Sequence, residues 1–420
     1  MKVFKFGGAS VRDADSVKNL VSILRSYPEK LVVVISAMGK TTNALERVLH
    51  AYMSDDKTAA MAELNAIRGY HMQIVRELMP EEKHPLPGEL ENIFTGLEKK
   101  LDCPPSTSYN QEYDQLVSWG EIVSTIIVSN YLTFAGIPNQ WTDARQFLKT
   151  DGTFREARVD WDMSTRRVRE RFSFRNGNLY ITQGFIGSTV NNLTTTLGRE
   201  GSDYTAAILA HILSAESVTV WKDVPGVLNA DPKWLPDARK LDEMSYREAV
   251  EMTFSGAKVI HPKTIKPLQN KGIPLYVKLF IDPEAKGTKV VADPTLREIL
   301  PVFIRKENQI LISILPKDFS FVMGDNLSRI FQLFFTCGIK VNLVEASAVS
   351  IDVCVDDERT KVEALLETLK EEYSAIYNEN VEILSIRHYS SEAINRIITD
   401  REILLEQRTR STVRYVVRKM

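Results

Sequence analysis

The chain of 420 residues reads as an α/β protein, a mostly parallel sheet sandwiched by helices, followed by smaller ferredoxin-like units. Three observations predict this. Several strand-like runs are apolar on both faces, as in "KLVVVIS" (30–36) and "SVTVW" (217–221). Helical patterns separate these runs, and strands buried on both faces imply a parallel sheet covered by helices. Beyond about residue 300 the texture changes to short alternating units.

In chain order, "KVFKF" (2–6), 30–36, "NLYIT" (178–182), 217–221 and "PLYVKLF" (274–280) are the expected strands. Helices are expected over 11–26, 42–53, 57–79, 109–135, 203–214 and 245–255. Residues 80–108, rich in Pro, Glu and Lys, read as a surface excursion. The stretch 282–301, with three prolines, is the expected boundary. After it come "ILISILP", "DNLSRIFQLFFTCG", "IKVNLVEAS", "AVSIDVCV", "RTKVEALLETLKEEY" and "VEILSIRHY". That order is βαββαβ, the ferredoxin-like unit. "SEAINRIITD", "REILLEQ" and "TVRYVVRK" suggest a second, shortened copy. The last of these, alternating Val and Tyr with Arg, fits an exposed edge strand. The expected domains are 1–295, 301–387 and 388–420.

Composition removes several function classes. The formal net charge is −2, so no basic excess argues for nucleic acid or an anionic membrane. Cys103, Cys337 and Cys354 match neither a zinc spacing nor a disulfide framework. No apolar run approaches the roughly 20 residues that span a bilayer. Met1 leads within three residues into "VFKF", so no signal peptide is expected and a cytoplasmic location is.

Chemistry-bearing residues gather in segments at strand ends, where open α/β sheets bind ligands. "KFGGAS" (5–10) is strand, two glycines and a helix start; bare N–H groups there cradle phosphate, and Lys5 adds charge. "ISAMGKTTNAL" (35–45) contains Gly-Lys-Thr, but the phosphate-loop pattern needs glycine five residues before Gly39, where Val34 stands. In "VSWGEIVST" (117–125), Gly120 inside a helix signals a close approach. Glu121 either holds an ammonium group there or faces water. "TTTLGREGSDYTAAILA" (194–210) runs a turn into an apolar helix. Taken alone, its charges are either helix caps, through Ser202 or Asp203, or ligand groups at an electropositive helix end. "WKDVPGVLNADPK" (221–233) offers Asp223, Asp231 and Lys233, or is an ordinary surface loop. "SGAKVIHPKT" (255–264) adds Lys258 and His261, the latter ending a helix before Pro262.

Together, "KFGGAS", "SAMGKTTNAL", "VSWGEIVST", "ITQGFIGS", "TTTLGREGSDYTAAILA", "WKDVPGV…ADP" and "GAKVIHP" resemble the aspartokinases in order and spacing. The resemblance implies an amino-acid kinase fold followed by regulatory ACT domains. It further implies transfer of the ATP γ-phosphoryl, with Mg²⁺ delivered on ATP and no protein metal ligands, to the β-carboxylate of L-aspartate. That reaction opens lysine, threonine and methionine synthesis. A carboxylate nucleophile is ionised near neutral pH and needs no general base. Catalysis reduces to holding two anions together and neutralising charge on the transferred group.

The resemblance assigns roles accordingly. Lys5 and Asp203 are the catalytic pair, Asp203 orienting Lys5. Lys5, Gly7, Gly8, Ser10, Lys222, Asp223, Lys233 and Lys258 surround the nucleotide. Thr42, Glu121, Phe185, Arg199 and Ser202 form the aspartate pocket, Arg199 on the α-carboxylate and Glu121 on the α-ammonium. A homodimer through the ACT units is implied. Two other readings remain: a related kinase acting on another acid, and a non-catalytic amino-acid sensor.

The chain departs from the family pattern at Ala9, at Leu228, and at Glu200, where glycine is usual. A carboxylate at 200 would repel both anions unless it faced elsewhere, leaving only its backbone N–H to contribute. Near the expected effector site, Asn342 stands where aspartate is frequent and Ala348 where some members have glutamate. Weak or absent inhibition by lysine is expected, with Glu345 and Ser347 as partial substitutes.

Overall fold

Strands whose residues are buried on both faces have only one stable setting, the middle of a helix-covered sheet, and here they occupy it. The computed structural model describes residues 1–80, 84–257, 260–295, 300–318 and 320–419. The strands are β1 (Lys2–Phe6), β2 (Leu31–Ile35), β3 (Gln140–Thr142), β4 (Leu179–Gln183), β5 (Ile186–Ser188), β6 (Thr194–Thr196), β7 (Ser217–Lys222), β8 (Glu243–Ser245), β9 (Leu275–Leu279) and β10 (Thr288–Val291), then β11 (Val302–Pro316), β12 (Val341–Ala346), β13 (Ile351–Asp356), β14 (Tyr373–Arg387), β15 (Arg401–Arg408) and β16 (Thr412–Lys419). The helices are α1 (Ala14–Arg25), α2 (Thr41–Met53), α3 (Lys57–Leu78), α4 (Leu86–Leu101), α5 (Tyr109–Val117), α6 (Trp119–Phe134), α7 (Ala144–Phe147), α8 (Trp161–Arg171), α9 (Gly201–Leu213), α10 (Tyr246–Phe254), α11 (Pro262–Lys271), α12 (Asp325–Thr336), α13 (Arg359–Leu369) and α14 (Ser391–Ile398).

Two compact units result. The first holds residues 1–227, 240–250 and 259–295; the second holds 228–239, 251–258 and 296–420. The first is built on an eight-stranded sheet ordered β3-β4-β2-β1-β7-β9-β10-β8. Pairing is parallel from β3 through β9, and β10 runs antiparallel to β9. The chain steps from β1 to β2 on one side and returns to β7 on the other. That reversal makes the carboxyl end of β1 the topological switch point. Three turns meet there, through Ser36 N–H to Phe6 O, Gly39 N–H to Gly8 O and Gly184 N–H to Ile35 O.

Three local expectations are corrected. The surface excursion at 80–108 contains a full helix, α4, that buries Leu90, Phe94 and Leu97; its apolar spacing outweighs the flanking prolines. The single helix expected over 109–135 breaks at Ser118 into α5 and α6. The segment around 412–419 is not an edge strand: β16 lies between β14 and β15 and buries Val413, Tyr415, Val416 and Val417.

The second unit carries a six-stranded sheet ordered β12-β13-β11-β14-β16-β15. Two of its strands are 15 residues long, and their register shifts near Gln309. The two long strands pair with each other. Gln309–Ile314 of β11 also pairs with β13, whose other neighbour is β12, on the side of α12 and α13. Glu382–Arg387 of β14 also pairs with β16, on the side of α14. The shortened copy expected from residue 388 thus borrows strands from before and within the first copy. The outer strands also touch, Gln407 Nε2 donating to the Val344 carbonyl at 2.9 Å. Leu311, Leu343, Cys354, Val381, Ile383, Leu405 and Val416 form one apolar cluster of this sheet.

Candidate active site

At the switch point, four elements bring charged side chains together. Lys5 is the penultimate residue of β1 and lies in register with Val34 and Val220. Its Nζ is 2.6 Å from Asp203 Oδ1, in the first turn of α9. Lys222, the last residue of β7, sets its Nζ 3.9 Å from the other oxygen, Oδ2. Asp203 is almost wholly buried, which alone would raise its pKa; the charges of Lys5 and Lys222 outweigh that and hold it below the usual value. Asp203 is therefore an anion ion-paired with Lys5, with Lys222 farther off its second oxygen.

The helix that carries it has no side-chain cap. Its N-cap is Glu200, in the left-handed region at φ 54° and ψ 28°, rather than Ser202 or Asp203. The capping reading of this turn is overturned, since both residues lie inside the helix. The start of α9 keeps its electropositive character for a ligand. Glu200 does more than lend its backbone: its Oε2 accepts from the His261 backbone N–H at 2.8 Å. Close packing fixes the neighbouring turn, because a Cβ on Gly184 would lie 2.4 Å from Ser202 Cβ. Phe185 beside it is also left-handed, at φ 68°, with its N–H on Thr205 Oγ1 at 3.1 Å. Two strained non-glycine residues flank this helix start, and such strain concentrates at functional sites.

Glu121 supplies the second buried carboxyl group. It is 3% exposed, which decides against the water-facing reading. Oε1 accepts from the Ala37 N–H at 3.3 Å, while Oε2 is buried with no hydrogen-bond partner. Burial pushes its pKa up to about 8, against the lowering effects of the Ala37 N–H and the Lys5 charge. A buried carboxylate oxygen without a donor is costly unless a ligand supplies one. Gly120 does mark a close approach, for a Cβ there would sit 3.0 Å from Ala37 Cβ and 3.3 Å from Leu45 Cδ1.

The remaining expected residues divide. Thr42 lies half-buried in the first turn of α2, Ser202 is buried, and Arg199 and Asp223 are exposed. Gly7 and Gly8 form the turn leaving β1, with the Ser10 N–H returning to the Gly7 carbonyl. The Ser10 hydroxyl is buried 3.5 Å from the Trp221 carbonyl. Lys233 belongs to the second unit, its N–H donating to Asp231 Oδ1 at 2.9 Å. Lys258 lies outside the described residues. Among those described, no group of three or more His, Cys, Asp or Glu side chains forms a metal cluster. No described helix is long and apolar enough to cross a membrane.

Asp114 was not anticipated. It is fully buried in α5 and accepts from the Arg155 N–H at 3.0 Å, the Thr196 N–H at 2.8 Å and the Thr196 hydroxyl at 2.7 Å. It thereby fastens β6, immediately before the Gly198–Gly201 turn, to the helix leading into Glu121. Burial pushes its pKa up to about 6 despite these donors. No local signal marked it: the helix breaks at Ser118 between Asp114 and Glu121, and its partners lie far along the chain.

Residues 1–278 match the model of the amino acid kinase family. The chain is 32% identical to lysine-sensitive aspartokinase 3 of Escherichia coli (strain K12), over 90% of this chain and 84% of that protein. It is equally 32% identical to aspartokinase 2, chloroplastic, of Arabidopsis thaliana, over 88% of this chain and 69% of that protein. Among solved structures, E. coli aspartokinase III in complex with aspartate and ADP superimposes with a TM-score of 0.85 at 28% identity. That match covers 100% of this chain and 96% of the other.

Proposed function

The chain belongs to the amino acid kinase family and, within it, to the aspartokinases, and from that premise we propose how its site works. It is an aspartate kinase: an oxygen of the substrate's β-carboxylate attacks the γ-phosphorus of ATP, the bond to the β-phosphate oxygen breaks, and ADP leaves with the bonding pair. The products are 4-phospho-L-aspartate and ADP.

Our assignment of roles rests chiefly on one observation, the contrast between two buried carboxyl groups at the switch point. Asp203 is ion-paired with Lys5, and Lys222 Nζ lies 3.9 Å from its other oxygen, whereas Glu121 Oε2 has neither an ion pair nor a hydrogen-bond partner among the described residues. The substrate ammonium meets the lone oxygen of Glu121. Arg199, a planar fork suited to carboxylates, takes the α-carboxylate, beside Thr42, Ser202 and Phe185. Lys5, oriented by Asp203, neutralises charge as it spreads over the transferred group, and the bare N–H groups at the start of α9 assist. Gly7, Gly8 and Lys222 border the phosphates, and we extend the nucleotide contacts to Ser10, Asp223, Lys233 and Lys258 on family resemblance. The donor set around Asp203 is cationic and suits phosphate oxygens rather than a metal, so Mg²⁺ is best read as travelling on ATP. A homodimer through the second unit fits its exposed Phe321, Met323 and Phe335, 69%, 70% and 79% accessible. A cytoplasmic setting suits this chemistry.

Trapping the acyl phosphate with hydroxylamine tests the reading. With MgATP, L-aspartate should yield hydroxamate, while L-glutamate and N-acetyl-L-glutamate should not. Arg199→Ala should lose the product at ordinary substrate concentrations. Hydroxamate from another acid alone would transfer the site to a different substrate, and none from any acid, with ATP bound, would favour a sensor.

A further inference from the structure

Glu200 has no place in the clamp just described, yet it occupies the middle of it. Its left-handed backbone favours glycine, and a glutamate there carries strain. The carboxylate does not turn toward the helix start that it opens. It reaches the His261 N–H at 2.8 Å. His261 is in turn the N-cap of α11, its Nδ1 accepting from the Lys263 N–H at 3.1 Å, with Pro262 in the first turn. The negative side chain therefore meets the electropositive end of a second helix. At the far end of the same helix pair, His211 Nδ1 lies 2.9 Å from the Pro267 carbonyl, and Lys271 Nζ donates to Ser214 Oγ at 2.9 Å. Helices α9 and α11 are thus bound to each other at both ends, and Glu200 is the bond at the substrate end.

We propose that Glu200 is a positioning residue for the acid substrate. Its bond to His261 holds the Gly198–Gly201 turn, so that Arg199 on one side and the uncapped start of α9 on the other keep their places. The same bond keeps the carboxylate off both anions. Arg199 is exposed and makes no ion pair among the described residues, so its aim depends on the backbone of its neighbours. This inference rests on the reading of that turn as the aspartate clamp.

Steady-state kinetics of Glu200→Gly, Glu200→Ala and Glu200→Gln, with thermal unfolding of each, test it. Glycine relieves the strain and removes the tether, so the unfolding midpoint should hold or rise while KM for aspartate increases about 5- to 10-fold. KM for MgATP and kcat should stay within about twofold. Alanine should give the same KM rise with a lower midpoint. Glutamine retains an acceptor oxygen and should restore KM to within about twofold of the parent. An unchanged or lower KM in Glu200→Gly would overturn the proposal and make the carboxylate a repulsive burden. Failure of the parent protein to phosphorylate aspartate would instead strike the clamp reading, and is measured first.

Discussion

The switch-point site and the half-buried polar cluster of the second unit treat their polar atoms in opposite ways. In the first, Glu121 Oε2 has no partner and α9 begins without a cap. In the second, Asn342 spends both ends of its amide. Its Oδ1 accepts from Lys306 Nζ at 2.7 Å, and its Nδ2 donates to Gln309 Oε1 at 2.7 Å and Asp356 Oδ1 at 3.0 Å. Asp356 also accepts from Gln309 Nε2 at 2.8 Å and pairs with Lys306. A polar group left unpaired raises the energy of the empty state and rewards a ligand that completes it. A closed network has nothing left to offer. The contrast supports the proposal that the switch point is the region that receives a charged small molecule.

The hardest test of this contrast removes the charge at its centre. Asp203→Asn leaves Lys5 and Lys222 without a counter-charge and frees Lys5 from its place. The expected result is a fall in kcat of about 10²- to 10³-fold, the scale seen when one stabilising group of an active site is lost. KM for aspartate should move far less, because the proposed role of Asp203 is to orient Lys5 rather than to hold the amino acid. A kcat within threefold of the parent would show that the Lys5–Asp203 pair serves structure alone.

The next test addresses the unpaired oxygen. Glu121→Gln keeps the shape and removes the charge, and KM for aspartate should rise by about 10- to 100-fold, consistent with roughly 1.5–3 kcal/mol for a hydrogen bond to a charged group. The parent should show kcat/KM for aspartate rising with pH through about 8, the value to which burial pushes Glu121, since only the ionised form attracts an ammonium. The variant should lose that rise. Stability carries the opposite sign. A folded-state pKa above the unfolded one contributes stability that is present below the unfolded value and lost as pH climbs through about 8. At pH 8.5 the ligand-free variant should therefore unfold at a higher temperature than the parent. A lower midpoint would mean that Oε2 already has a donor and that the contrast is false.

Such energetics were only partly legible in the sequence. The parallel sheet could be read from strands apolar on both faces, whereas the roles given to Lys5, Glu121, Arg199 and Asp203 came from the resemblance to the aspartokinases, since local charge alone left capping and water-facing readings open. What escaped reading depended on long-range pairing. Asp114 bonds to a residue 82 positions away, and nothing local marks it. The shared long strands of the second unit escaped because a ferredoxin-like order is read as contiguous, whereas half of β11 serves the later copy. Glu200 was seen as a departure, but its outlet at His261 lies 61 residues on. Charge patterns reveal which residues matter more readily than what they touch.

The smallest expected effect is a response that should be nearly missing. A lysine effector needs an acceptor for its ammonium groups, and Asn342, without charge, is already bound on both sides. The residues expected to substitute for it are engaged too: Glu345 Oε2 accepts from Gln407 Nε2 at 3.1 Å, and Ser347 Oγ lies 2.7 Å from Ser350 Oγ. Titrating aspartate-dependent ADP release with L-lysine should give half-inhibition no lower than the millimolar range. Asn342→Asp should not create sensitivity. The new carboxylate would claim Lys306, lose two donated bonds and stand against Asp356, at a cost of about 1–3 kcal/mol to the folded state. Half-inhibition of the parent in the tens of micromolar would mean that the network opens for a ligand at little cost. A closed set of hydrogen bonds would then no longer mark a region unfit for binding, and the division between the two regions would rest on the active site alone.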